Sequence, residues 1–299
     1  MGLFNSDYSK PGPGVRKDEV KPKGLKRFYQ IFIRKFWDLI KLNLLYIVTL
    51  IPTFAVVFIL SGMISNKLGV GLDSLMKLDD SISLAVAAKI SVTYDLVARF
   101  YISSFFTILW GGGPVTAGFV FVLRSFLWEE HVFLVSDYFE RVKSNFKQAI
   151  TVWIIDIIVF TLLCYAYFFY GASPAPLVYG KYVVLVIALF YTMVHMYLYH
   201  LMVTYKLSVP KLYKNSALFA LSALLFPVIT IAVVVFLVLI WPAIGFTTQN
   251  QQLAVFFTTA SFVLMAFIMY SACGLYIECN AVTQVEKYIK EDADVERNE

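Results

Sequence analysis

Six long apolar runs dominate the sequence, at about Leu42–Ile64, Asp95–Leu123, Ala149–Tyr170, Tyr182–Thr204, Ala217–Trp241 and Leu253–Ile277. A helix of about 20 residues crosses the hydrocarbon core of a bilayer, and each run is of that order. Hydrocarbon offers backbone N–H and C=O groups no water, and a helix satisfies all of them within one segment. The runs therefore read as helices, and the fold class is all-α: a polytopic bundle of about six spanning helices. Hydrophobic residues make up 60% of the 299 and charged residues 15%, against about a quarter charged in a soluble domain. Three regions follow: a basic segment 1–41 with an amphipathic helix, a transmembrane bundle 42–277, and a charged tail 278–299.

The distribution of basic residues sets an expected orientation. With the N-terminus inside, the inner segments hold ten Lys/Arg before Leu42 and ten more from Arg124 to Arg297. The outer segments and the second helix hold five: Lys67, Lys77, Lys89, Arg99 and Lys181. Twenty against five follows the positive-inside rule and places both ends in the cytoplasm. The net charge of +5 is thus topological, and the expected partner is the lipid bilayer rather than nucleic acid. The polar start of the chain leaves the first helix to act as an uncleaved anchor. Met1-Gly2…Ser6 fits an N-myristoylation pattern, read as a chance match because one acyl chain adds little to six spans. The sequence carries no signal for or against a homo-oligomer.

The second run is interrupted by Trp110-Gly111-Gly112-Gly113-Pro114. It reads as a spanning helix that ends near the glycines, followed by a short helix Val115–Trp128 in the cytoplasmic interface. A single broken helix running through to Leu123 is the alternative. The cluster Gly111, Gly112, Gly113 and Pro114 lacks the G-K-[ST] ending of a phosphate loop. It serves as a hinge or close-packing point, with exposure of backbone groups to a solute as the other reading.

Three cytoplasmic elements read as amphipathic. Leu25, Phe28, Tyr29, Phe32, Phe36, Leu39 and Ile40 recur at helical spacing, away from Lys26, Arg27, Arg34 and Lys41, which suits a helix on an anionic leaflet. In Asp137–Lys147, Asp137 and Glu140 have the spacing of a capping box. Phe139, Arg141, Lys143, Phe146 and Lys147 of that element form a candidate partner-docking surface, with interfacial anchoring as the plainer reading. Pro210–Asn215 reads as a short turn of the same kind.

Asp156 is the residue that most invites a partner. An ionised Asp deep in a bilayer costs about 2.5–3.5 kcal/mol, and Asp156 lies seven residues into the third run. It and His195 are nearly equidistant from the outer loop at Ala175–Pro176. A tight antiparallel hairpin would bring them to one depth as an intramembrane polar pair, with Tyr197 or His200 nearby. The alternative turns Asp156 to the cytoplasmic interface and leaves His195 one interhelical hydrogen bond. Asp95 and Arg99 have i,i+4 spacing and read as a neutralising pair, and Glu278 reads as interfacial. Cys164, Cys273 and Cys279 form no C-x-x-C pair and read as buried thiols. No catalytic constellation, metal site or cofactor motif is legible, so the chain reads as a non-enzyme.

Several segments carry a resemblance. Met1-Gly2-Leu3-Phe4-Asn5, Leu42-Asn43-Leu44-Leu45-Tyr46, Gly113-Pro114-Val115-Thr116-Ala117-Gly118, Ser144-Asn145-Phe146-Lys147-Gln148-Ala149 and Lys211-Leu212-Tyr213-Lys214-Asn215 occur in that order. In these the chain resembles the YesL family of bacterial integral membrane proteins, except for an apparent insertion at roughly Phe54–Phe106. The resemblance implies a multi-pass protein of a bacterial cell membrane. It also implies an accessory or regulatory companion of carbohydrate uptake whose partner is a carbohydrate ABC importer permease. It supplies no catalytic or ligand-binding residues. A solute transporter or transporter subunit in its own right is the alternative expectation.

Overall fold

The computed structural model describes residues 24–68, 84–248 and 250–298, and among them every regular element is helical. The Met1–Ser6 pattern, Lys77 and most of the basic N-terminal segment lie outside the described residues. In chain order the helices are α1 (Leu25–Arg34), α2 (Phe36–Leu60), α3 (Gly62–Leu68), α4 (Leu84–Leu109), α5 (Pro114–Trp128) and α6 (Leu134–Ser144). They continue as α7 (Phe146–Ala172), α8 (Gly180–Thr204), α9 (Val209–Ser222), α10 (Leu225–Thr247), α11 (Gln251–Leu264) and α12 (Tyr270–Asn298). A π turn, Met265–Met269, joins α11 to α12.

Six helical stretches are long and apolar enough to cross a membrane: Phe36–Asn66, Ala88–Leu109, Phe146–Ala172, Leu177–Thr204, Leu225–Gly245 and Gln252–Tyr288. The outward faces of these helices carry Val48, Ile51, Ile59, Leu162, Tyr165 and Val186, all exposed on the protein surface. A surface of that kind is stable in lipid and not in water. The chain is a multi-pass helical membrane protein.

The helix after the glycines corrects the sequence reading. Eleven of the fifteen residues of α5 are buried, so Val115–Trp128 is a central packing element and not an interfacial one. A helix that is apolar all round belongs in a core, and this one contacts α1, α2, α6, α7, α8 and α12. The path of the chain shows why. Gly111 and Gly113 adopt φ of 85° and 73°, a region that costs an L-residue about 1–2 kcal/mol. Gly112 lies against Leu50 and Thr53 of α2, and Gly113 against Trp153 of α7. From there α5 runs on until Arg124 reaches the carbonyl of Val203 and the hydroxyl of Thr204, at the end of α8. Helix α4 holds a stretch, Ala88–Leu109, long enough to span by itself and ends near the glycines as expected; what changes is the placement of α5, a shorter apolar helix packed in the core.

Three smaller readings change as well. Helix α6 begins three residues before Asp137, whose carboxylate reaches back to accept the Phe133 N–H at 2.9 Å; Glu140 is therefore not the partner of an Asp137 cap. Pro210–Asn215 is no turn but the first part of α9, with Pro210 in its first turn, where a missing N–H costs nothing. In α1, Arg27 is buried and donates to the Leu127 carbonyl at 2.9 Å, capping the last turn of α5. Phe28 packs edge-on against Tyr276 of α12. The face expected to meet lipid therefore meets protein in part, while Leu25 and Tyr29 remain exposed.

Candidate functional site

Helices α7 and α8 form the antiparallel hairpin that the sequence suggests, and it carries Asp156 and His195 to one depth. Asp156 is ten residues into α7 and His195 nine residues from the end of α8, each about 15 Å along its helix at 1.5 Å per residue. His195 Nε2 lies 2.8 Å from Asp156 Oδ1, and both side chains are wholly buried. The structure therefore brings the two together inside the bundle and does not turn Asp156 to the interface.

The rest of the setting comes from residues that the sequence reading did not single out for it. The Tyr191 hydroxyl donates to Asp156 Oδ1 at 2.8 Å, and Tyr213 of α9 approaches the same oxygen at 3.5 Å. Burial and the nearby Asp156 carboxylate push the Tyr213 hydroxyl well above the ordinary phenol range, so it stays a neutral donor. Trp110, at the helix break, stacks on the His195 ring with centroids 5.5 Å apart, and its indole N–H donates to Thr192 at 2.9 Å. Of the neighbours suggested by sequence, Tyr197 lies elsewhere, stacked on Phe219, while His200 lines the same small cavity as His195 without touching the pair. His200 pairs with Glu278 of α12, Nδ1 to Oε1 at 2.5 Å.

Glu278 is a correction in its own right. It is 2% exposed and packed against the buried His200 ring, and α12 continues twenty residues beyond it to Asn298. Arg124 stands within electrostatic reach of it. The signal that could have revealed the pair was His200, a second histidine in the same apolar run.

His195 of the first pair and His200 and Glu278 of the second line one small cavity of about 40 Å³, with Gly111, Thr116 and Tyr199 also in its wall. Its wall includes the broken segment: the Gly112 N–H donates to Thr116 Oγ1 at 2.6 Å, and Tyr46 shares a 2.9 Å hydrogen bond with that hydroxyl. Asp156 Oδ2 and the Tyr199 hydroxyl are buried with no hydrogen-bond partner among the described residues. Beyond Trp110, away from the described chain ends, an apolar recess of about 400 Å³ opens between α4, α7 and α8, with Phe105, Phe160 and Thr192 in its wall. Trp110 lines that recess and stacks on His195, so the indole stands between the recess and the polar pair.

Other predicted features fall apart from this centre. Arg99 and Asp95 pair at 2.8 Å and Ser65 donates to the same carboxylate at 2.7 Å. On α6 and the start of α7, Phe139, Lys143, Phe146 and Lys147 are exposed, while Arg141 lies over the Phe121 ring at 4.3 Å. The three cysteines are free and buried. Comparison with family models, with curated proteins and with solved structures matches the chain to none of them.

Proposed function

We propose that the protein is a membrane transport protein, a solute transporter or transporter subunit, working through the polar centre at Asp156 and His195. One observation carries this reading: a buried carboxylate–histidine pair sits at a helix break, its histidine lining a small cavity and stacked on Trp110, which lines an apolar recess. Ionisable groups in a membrane interior are costly and mark solute or ion pathways, and broken helices at mid-depth are a recurring feature of transporter binding sites. Its bilayer is that of a bacterial cell, with both chain ends in the cytoplasm, as the basic residues distribute.

A second reading, the companion of a carbohydrate ABC importer permease, rests on the YesL resemblance and on the exposed aromatic and basic residues Phe139, Phe146, Lys143 and Lys147. Two of the segments quoted for the resemblance also meet in space, where Tyr46 bonds Thr116. One experiment separates the two. Uptake of labelled mono- and disaccharides is measured in proteoliposomes of the purified chain. Transport predicts uptake that Asp156→Asn and His195→Gln abolish. No uptake, together with stoichiometric recovery of an importer permease from native membranes, would replace it with the companion role.

A further inference from the structure

We propose that the ion handled by this centre is the proton, bound by Asp156–His195 and exchanged with the chain-end side through the cavity and His200–Glu278. This deepens the transport reading and rests on it for its purpose, while its geometry stands alone.

The first ground is the hydrogen-bonding of His195. Its Nδ1 lies 3.0 Å from the Tyr191 backbone carbonyl, and its Nε2 lies 2.8 Å from Asp156 Oδ1. A carbonyl oxygen only accepts, so Nδ1 carries hydrogen. The contact at Nε2 then requires a second proton, held on the ring or on the carboxyl. Either way the pair holds one proton more than a neutral imidazole beside a carboxylate, and it is net neutral. Neutrality is what a site at 0% side-chain exposure demands, since an unpaired buried charge costs several kcal/mol. The groups facing the pair are the hydroxyls of Tyr191 from α8 and Tyr213 from α9, both donating to Asp156, with the Trp110 ring from α4 on His195. No cation from these elements competes for Asp156 among the described residues.

The second ground is the route. His200 lies five residues after His195 on α8, about 7.5 Å nearer the end of that helix at 1.5 Å per residue. Both rings line the same cavity, whose volume of about 40 Å³ accommodates a water. His200 spends Nδ1 on Glu278, and Arg124 stands near that carboxylate at the chain-end side. In the transfer, the unloaded pair, an Asp156 carboxylate beside a singly protonated His195, takes a proton from water in the cavity, and that water regains one from the His200–Glu278 pair. That second pair is reloaded from the chain-end side. Only N–H and O–H bonds break and form, and each step moves one positive charge. On the opposite side Trp110 and the apolar recess offer no hydrogen-bonded path, which gives the site one-sided access.

The test uses the full chain in liposomes with isotope-labelled histidine and imidazole NMR; with three histidines in the sequence, His131→Gln and His200→Gln assign the signals. Between about pH 5 and 8, His195 is expected to show the signature of a shared proton at Nε2 and a protonated Nδ1. Asp156→Asn should abolish it. Glu278→Gln should leave that signature intact and slow exchange of the ring proton with water by at least about tenfold. Where Glu278→Gln fails to fold, His200→Gln serves the same comparison. No proton in the Nε2–Asp156 contact anywhere in that range, or exchange unchanged in both variants, would overturn the proposal. Absence of solute flux with these signatures present would remove the transport reading and leave the proton site standing. Solute flux without them would do the reverse.

Discussion

Asn43 lies in the first apolar run, where an amide must find partners or destabilise the helix, and the structure shows where they are. Its amide donates to the carbonyls of Met265 and Ala266 at 3.2 and 2.8 Å and accepts the Ser271 N–H at 3.0 Å. Those are backbone groups that the π turn Met265–Met269 opens, and such turns often lie at functional sites. Asn43→Ala should cost about 2–4 kcal/mol, since each unsatisfied buried group costs about 1–3 kcal/mol; denaturation in detergent micelles measures it. A loss below about 0.5 kcal/mol would mean that the π turn closes without the amide. Asp156 and His195 were legible for the same reason, as polar groups inside apolar runs. Tyr213 and Glu278 were not. They lie where an apolar run starts or stops, and there water is the default partner that a sequence supplies.

At the scale of elements, α5 is the piece that organises the centre, and its packing rests on close approach. A Cβ at Gly118 would stand 2.6 Å from the backbone oxygen of Tyr138, so α6 lies directly on α5 there. Tyr138 is fully buried at that crossing and bonds Thr49 of α2 at 2.6 Å. Gly118→Leu must push a backbone aside, and should cost about 1–3 kcal/mol and raise the proteolytic sensitivity of the 129–145 segment. Gly171→Ala is the matched control: nothing lies within 4 Å of its added Cβ, and its effect should stay within about 1 kcal/mol. Equal effects of the two substitutions would sink the close-approach account. Hydropathy could not tell α5 from an interfacial helix, because its fifteen residues are too few to span. What buries it is the company of six neighbouring helices.

At the scale of the whole molecule, six crossings return the last described helix to the side on which the first begins. Arg27 of α1 caps α5 there and lies 3.9 Å from Glu286 of α12, and Arg34 pairs with Glu129 at 2.8 Å. Fusion reporters at Ser136 and Asn250 should report opposite sides, with Ser136 cytoplasmic; the same side for both would remove one crossing from the scheme. The sequence by itself determined the helical class, the number of spans and their lengths. Those depend on local hydropathy and on a backbone that must satisfy itself within each segment in lipid. It also placed Asp156 and His195 at one depth, because a hairpin with a short loop fixes relative depth, and left open whether Asp156 turned inward to meet the histidine. Only the tertiary structure decided that the helix after the glycines runs through the core, that Glu278 joins His200, and that His195 and His200 line one cavity. These contacts link α4, α5, α8 and α12 across more than a hundred residues, and no local pattern encodes which faces of lipid-compatible helices turn inward.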